Sequence, residues 1–207
     1  MNKGKFIVFE GIDASGKSTQ IRFLESYLRE KGVPVYITRE PTDSPFGALA
    51  HQCMTGRVDS DEKAIAALMA ADRLDHIHNK LNGLLDKINN GVTVISDRYY
   101  FSSYAYQGAH LGLDWVIELN RLAAEALRPD VHIFIDIDAN TSMTRLQGRS
   151  DLERYEKLDK QMKIRQQYFE AFARMKDTER VEIVSSDQTL AETQADIQKI
   201  VDGLFGF

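Results

Sequence analysis

Phe6-Ile7-Val8-Phe9-Glu10-Gly11-Ile12-Asp13-Ala14-Ser15-Gly16-Lys17-Ser18-Thr19 is the stretch that decides the fold. Its apolar opening reads as a short buried strand. Gly11 to Ser18 fits G-x-x-x-x-G-K-[ST], and Ile21, Leu24 and Leu28 then recur at i, i+3 and i+7, so a helix begins where the loop ends. Strand, glycine-rich loop and helix is the setting in which this spacing binds phosphate. The glycines permit the backbone turn and leave amide N–H groups pointing inward, while the helix N-terminus adds positive potential. Lys17 can reach β- and γ-phosphates and Ser18 can offer its hydroxyl to Mg²⁺. The loop 11–19, with Gly11, Ile12, Asp13, Ala14, Ser15, Gly16, Lys17, Ser18 and Thr19, therefore specifies a magnesium nucleoside triphosphate more than any particular base.

Working outward, the first helix pattern stops at Gly32 just ahead of Pro34. Further β-rich runs occupy 33–38, 92–96, 131–137 and 181–184. Between them a long amphipathic pattern takes in Ile65, Leu68, Leu81, Leu84, Leu85 and Ile88, opened by Ser60-Asp61-Glu62 and closed by Gly91. Trp115 to Leu122 and Leu158 to Phe172 mark two more helices. Strands alternating with helices require crossover connections, hence a mainly parallel sheet covered on both faces.

The chain has 207 residues, 43% hydrophobic and 28% charged, which suits one soluble domain that buries its core without disulfides. No run approaches the roughly 18 apolar residues of a membrane span. The apolar start at 6–9 is too brief for a signal-peptide core. Cys53 is the single cysteine, which fits a reducing cytoplasm and reads as a small apolar helix residue. A net charge of −5 argues against a surface that neutralises nucleic-acid backbones. The five histidines, including His76 and His78 at i, i+2, do not complete a metal set, and no G-x-S-x-G elbow suggests covalent catalysis.

The loop does not by itself separate a kinase from an ATPase, a GTPase or a nucleotide-dependent regulator. Asp13 within it would be repelled by polyphosphate unless it serves a substrate hydroxyl or a hydrated metal; its other reading is a turn-former. Beyond the loop, Arg39-Glu40-Pro41 follows the second strand and Arg73 follows Ala70-Ala71-Asp72. Asp97-Arg98-Tyr99 follows the third strand and leads to Ser102, Ser103, Tyr106, Gln107 and Gly108; Arg149 precedes Glu153-Arg154-Tyr155-Glu156. With the opening block, these in order resemble the thymidylate kinase family of P-loop nucleoside-monophosphate kinases over nearly the whole chain.

The resemblance implies a three-layer α/β P-loop NTPase fold over 1–207, a five-stranded parallel sheet in order 2-3-1-4-5, and a lid segment at about 145–157. It implies transfer of the γ-phosphoryl of ATP onto dTMP with Mg²⁺, in a cytoplasmic homodimer that engages neither nucleic acid nor membrane. Lys17, Asp97, Arg98 and Arg149 become the expected catalytic residues, with Ser18 and Asp97 at the metal, Asp97 through water. Arg149 is the expected lid arginine because Ala14 and Ser15 leave the loop without one. Substrate contacts are expected from Asp13, Arg39, Met69, Arg73, Arg98, Ser103, Tyr106, Gln107 and Tyr155. Arg39 could instead be solvated, and Arg73 could pair with Asp72 or Asp75. Met69 departs from the family, which usually stacks phenylalanine on thymine at this place; a thioether gives a looser contact. Two alternatives keep the same loop: a kinase of this fold with another nucleoside or monophosphate acceptor, and a non-catalytic regulator.

Overall fold

The computed structural model describes residues 3–146 and 158–207. Its centre is β1 (Phe6–Glu10), buried along its whole length. β3 (Thr93–Asp97) and β4 (Val131–Asp136) flank it, with β2 (Val35–Arg39) beyond β3 and β5 (Val181–Ser185) beyond β4. All pairings are parallel, and the order β2-β3-β1-β4-β5 is the expected one. Period-two alternation divides β1 between two cores: Phe6 and Val8 join Tyr99, Phe101, Phe134, Tyr168 and Phe172 on one face, while Ile7 and Phe9 join Ile21, Leu24, Ile95, Ile133 and Ile197 on the other. Each such buried side chain contributes about 1.5–3 kcal/mol of transfer free energy.

Helices cover both faces. α1 (Lys17–Glu30) and α10 (Leu190–Phe205) supply the second core; α5 (Tyr100–Tyr106) and α9 (Leu158–Met175) supply much of the first. The others are α2 (Pro45–Met54), α3 (Glu62–His78), α4 (Leu84–Asn89), α6 (Gly108–Leu111), α7 (Leu113–Ala126) and α8 (Ala139–Leu146).

The long amphipathic pattern is not one helix. Asn79 leaves helical backbone at ψ 128°, its side chain accepts from Leu81 N, and α4 starts afresh after Gly83. Leu81, counted with the apolar stripe, is consequently 96% exposed. The second strand also starts later and ends later than expected, at Val35–Arg39, which carries Arg39 to its tip. Two helices had unread start signals. Ser44 caps α2 ahead of Pro45, and Thr189 and Glu192 form a capping box on α10.

Candidate functional site

The register of the sheet assembles the site. Pairing of Phe9 with Asp97 brings the C-terminal ends of β1 and β3 level, so the loop after β1 and the Asp97-Arg98 pair after β3 face one crevice. Gly11 has φ +148°, and a Cβ there would sit 2.7 Å from Ile135 O. Gly16, at φ +102°, precedes α1 without a side-chain cap, leaving the first amides of that helix available to an anion. Lys17 Nζ folds back on the loop, donating to Gly11 O at 3.1 Å and Ile12 O at 3.0 Å. Burial and the neighbouring Arg98 push its pKa down to about 8 against the pull of Asp97, Asp13 and Glu10. Ser18 Oγ donates to Asp97 Oδ2 at 3.2 Å, and Asp97 Oδ1 is buried with no hydrogen-bond partner among the described residues.

Arg98 occupies the left-handed region at φ 76°, a conformation unusual for a side-chain-bearing residue. Its N–H bonds to Phe9 O at 2.8 Å, and Ser96 Oγ donates to its carbonyl at 2.7 Å. The guanidinium ion-pairs with Asp13 and donates to Gly11 O, Ser102 Oγ, Tyr168 OH and Tyr106 OH. Asp13 also accepts from Tyr106 OH at 3.2 Å and Gln161 Nε2 at 3.1 Å. Burial disfavours its charge, but Arg98 and Lys17 outweigh burial and hold the carboxyl below its ordinary range. Beneath lies Glu10, fully buried; burial raises its pKa against the opposing Ser102 hydroxyl and the charges of His132 and Arg98.

A cavity of about 680 Å³ opens over these groups. Of the expected residues, the loop from Asp13 to Thr19 lines it, together with Arg39, Met69, Asp97, Arg98, Ser103, Tyr106 and Gln107. Gly11 and Ile12, the buried first residues of the loop, are not among the lining residues. Arg73, expected against a base, is 0% exposed and sits behind the wall. Its partner is neither Asp72 nor Asp75: Nε donates to Glu40 Oε2 at 2.8 Å, Nη2 lies 2.7 Å from the same oxygen, and Nη1 donates to Ser103 Oγ and Asn120 Oδ1. Glu40 also meets His76 Nδ1 at 3.0 Å. Arg39 remains at the rim, 67% exposed along its side chain and paired with Asp43. Arg149, Tyr155 and most of the expected lid at 145–157 lie outside the described residues.

Several lining residues, Ser186, His51 and Met54 among them, escaped sequence reading, whereas Arg145 falls at the start of the expected lid segment. Ser186 Oγ donates to Ser15 O at 2.8 Å, and Arg145 Nη1 donates to Ser186 Oγ at 3.2 Å, so the end of β5 and α8 close over the loop. The convergence of strand ends on one crevice was the available signal for Ser186. His51 and Met54 of α2 also line the cavity.

Over residues 9–197 the chain matches the family described as Thymidylate kinase. It is 38% identical to a protein named "Probable thymidylate kinase" from Thermococcus onnurineus, over 95% of this chain and 97% of that one. It is 34% identical to the "Thymidylate kinase" of Hahella chejuensis, over 95% of each chain. With the "Thymidylate kinase" of Carboxydothermus hydrogenoformans the identity is 33%, over 99% of this chain and 100% of the relative.

Proposed function

The chain belongs to the thymidylate kinase family, and from that premise we propose how its residues move the γ-phosphoryl of ATP onto dTMP, giving ADP and dTDP. The observation that carries the reading is the position of Arg98. It joins Gly11 and Asp13 of the phosphate loop to Ser102 and Tyr106 of α5, at the edge of the cavity that both elements line.

The loop from Gly11 to Thr19 cradles the donor phosphates with its amides, and Lys17 turns from its own carbonyls to the β- and γ-phosphate oxygens. Ser18 and Asp97 would hold Mg²⁺, Asp97 through water; the unpartnered Oδ1 of Asp97 beside the Ser18 hydroxyl fits a hydrated cation. When bound, the ion would neutralise negative charge on the β- and γ-phosphates. Arg98 lies between donor and acceptor and holds the acceptor phosphate in line, with Arg39 at the rim. Asp13 and Tyr106 face the sugar, Ser103 and Gln107 the base edge, and Met69 the base plane. Arg73 acts from behind, orienting Ser103 and Glu40. Arg149 supplies the lid cation that stabilises the transferring group, and Tyr155 joins the sugar side. Phosphoryl transfer asks the protein mainly to position and neutralise, so no covalent intermediate enters.

ADP release measured with Mg²⁺ and ATP against dTMP, CMP, AMP and thymidine tests the assignment. dTMP should be turned over far faster than the others. A dTMP rate no higher than the no-acceptor background would sink it, and a faster CMP or AMP reaction would make the chain a kinase of another acceptor. We also propose that the protein works in the cytoplasm as a homodimer, which light scattering tests; no described helix is long and apolar enough to cross a membrane.

A further inference from the structure

Glu10 is the last residue of β1, and its carboxylate is sealed beneath the cavity with 0% exposure. Its two oxygens face different tasks. Oε1 accepts the backbone N–H groups of Tyr99 at 2.9 Å and Ser102 at 3.3 Å, capping α5, whose preceding residue provides no side-chain cap. Oε2 accepts the hydroxyl of Ser102 at 2.6 Å and that of Tyr168 at 3.0 Å. Those same hydroxyl oxygens are the acceptors for Arg98 Nη1, at 3.1 and 3.3 Å.

A hydroxyl has one proton. The two hydroxyls also lie 2.9 Å apart; with both protons directed to Glu10 Oε2 rather than across that contact, both oxygens present only lone pairs to Arg98, which has donors only. The three layers thus have a single polarity: carboxylate, two hydroxyls, guanidinium. We infer that Glu10 is a positioning residue for phosphoryl transfer, which orients the Ser102 and Tyr168 hydroxyls so that Arg98 is held by acceptors alone. This rests on Arg98 being the arginine between the phosphates. Nothing in the carboxylate touches substrate; it acts through Arg98.

Glu10→Gln tests the polarity at almost constant volume. The amide oxygen must stay with the two fixed N–H donors of α5. The NH₂ then replaces Oε2 and donates to Ser102 and Tyr168; one hydroxyl can give its proton to the other across their 2.9 Å contact, and the remaining proton is turned toward Arg98, donor against donor. We expect kcat for dTMP phosphorylation to fall about ten- to a hundredfold, while ATP affinity by titration stays within about twofold. In a Ser102→Ala/Tyr168→Phe background the hydroxyls are gone, so adding Glu10→Gln should lower kcat by less than about threefold. Wild-type kcat in Glu10→Gln overturns the inference. So does an equal loss in both backgrounds, which would make Glu10 only a support for α5. Should Glu10→Gln fail to fold, the Ser102→Ala/Tyr168→Phe protein decides alone, and wild-type kcat there overturns the inference. Arg98→Lys separates the premise: undiminished kcat in that variant removes the role assigned to Arg98, whereas a large loss beside an unaffected Glu10→Gln removes only the role of Glu10.

Discussion

Ser18 Oγ and Asp97 Oδ2 lie 3.2 Å apart although 79 residues separate them in the chain. The contact follows from the pairing of Phe9 with Asp97, which sets the two strand ends side by side. A hydroxyl and a carboxylate whose second oxygen has no partner among the described residues would suit a hydrated divalent cation, as proposed above. Asp97→Asn should therefore raise the Mg²⁺ concentration giving half-maximal rate by about ten- to a hundredfold, as expected for loss of an outer-shell partner. Chelation of Mg²⁺ should abolish turnover in both proteins. Magnesium titration at fixed ATP checks this, and an unmoved midpoint would take Asp97 out of the metal site.

Lys17 carries a measurable proton linkage. Its pKa falls from the ordinary 10.5 to about 8 because burial and Arg98 oppose the charge. Polyphosphate supplies the missing countercharge, so at pH 9 the mostly neutral amine should take up a proton on ATP binding. Calorimetry in two buffers of different ionisation enthalpy should give uptake approaching one proton per nucleotide at pH 9 and almost none at pH 6.5. The same depression acts on folding. Between pH 8 and 10.5 the unfolded chain binds more protons at Lys17 than the folded one, so this contribution to stability rises with pH across that window and is an uncompensated cost below it. Lys17→Met should then stabilise the ligand-free protein at pH 7, by at most about 3 kcal/mol because the bonds to Gly11 and Ile12 are lost too. A lower melting temperature for Lys17→Met would contradict the charge argument.

Local signals and long-range ones differ sharply in how far they could be read. The loop from Gly11 to Ser18 has its conformation written in glycine positions, and the strand ends follow from short β-rich runs. Arg98 and Asp97 were legible because a strand end in a parallel sheet points at the crevice. The partner of Arg73 was not: Glu40 lies 33 residues away, just past the end of β2, and only the packing of α3 beside that strand end brings the two together. The break between α3 and α4 depends on Asn79 and Gly83 terminating a stripe whose apolar period continues past them. Glu10 could be read only as part of a resemblance, since nothing in spacing places Ser102 and Tyr168 on one carboxylate.

Arg149, proposed as the lid arginine, should act on charge that develops only during transfer. Arg149→Ala is expected to lower the turnover number by about 10³-fold or more, in the range of arginines supplied to transferring phosphoryl groups, with little loss of ATP affinity. Lys17→Ala should impair both. Steady-state turnover set against ATP titration distinguishes them: weakened ATP binding with unchanged turnover in Arg149→Ala would make Arg149 a ground-state contact.

Met69 lines the cavity from α3, one helical turn before Arg73, and is 5% exposed. The i, i+4 spacing sets the two residues on one helix face, so Met69 borders the space while Arg73 braces Ser103 behind it. A thioether meets a pyrimidine ring through a polarizable but flexible chain, whereas a phenyl ring loses fewer rotamers and stacks in an offset geometry. Aromatic pairs contribute about 0.5–1.5 kcal/mol beyond burial. Met69→Phe should therefore lower the dissociation constant of dTMP by about two- to tenfold, with ATP affinity unchanged because the phosphate loop is untouched. Met69 is itself buried but borders a cavity of about 680 Å³, so the added ring must turn toward that space; kept within the packed wall it would cost about 1–3 kcal/mol through overpacking instead. Calorimetric titration of both nucleotides into the folded variant reads the two effects separately. Unchanged dTMP affinity would remove Met69 from the base plane and make it a core residue of α3.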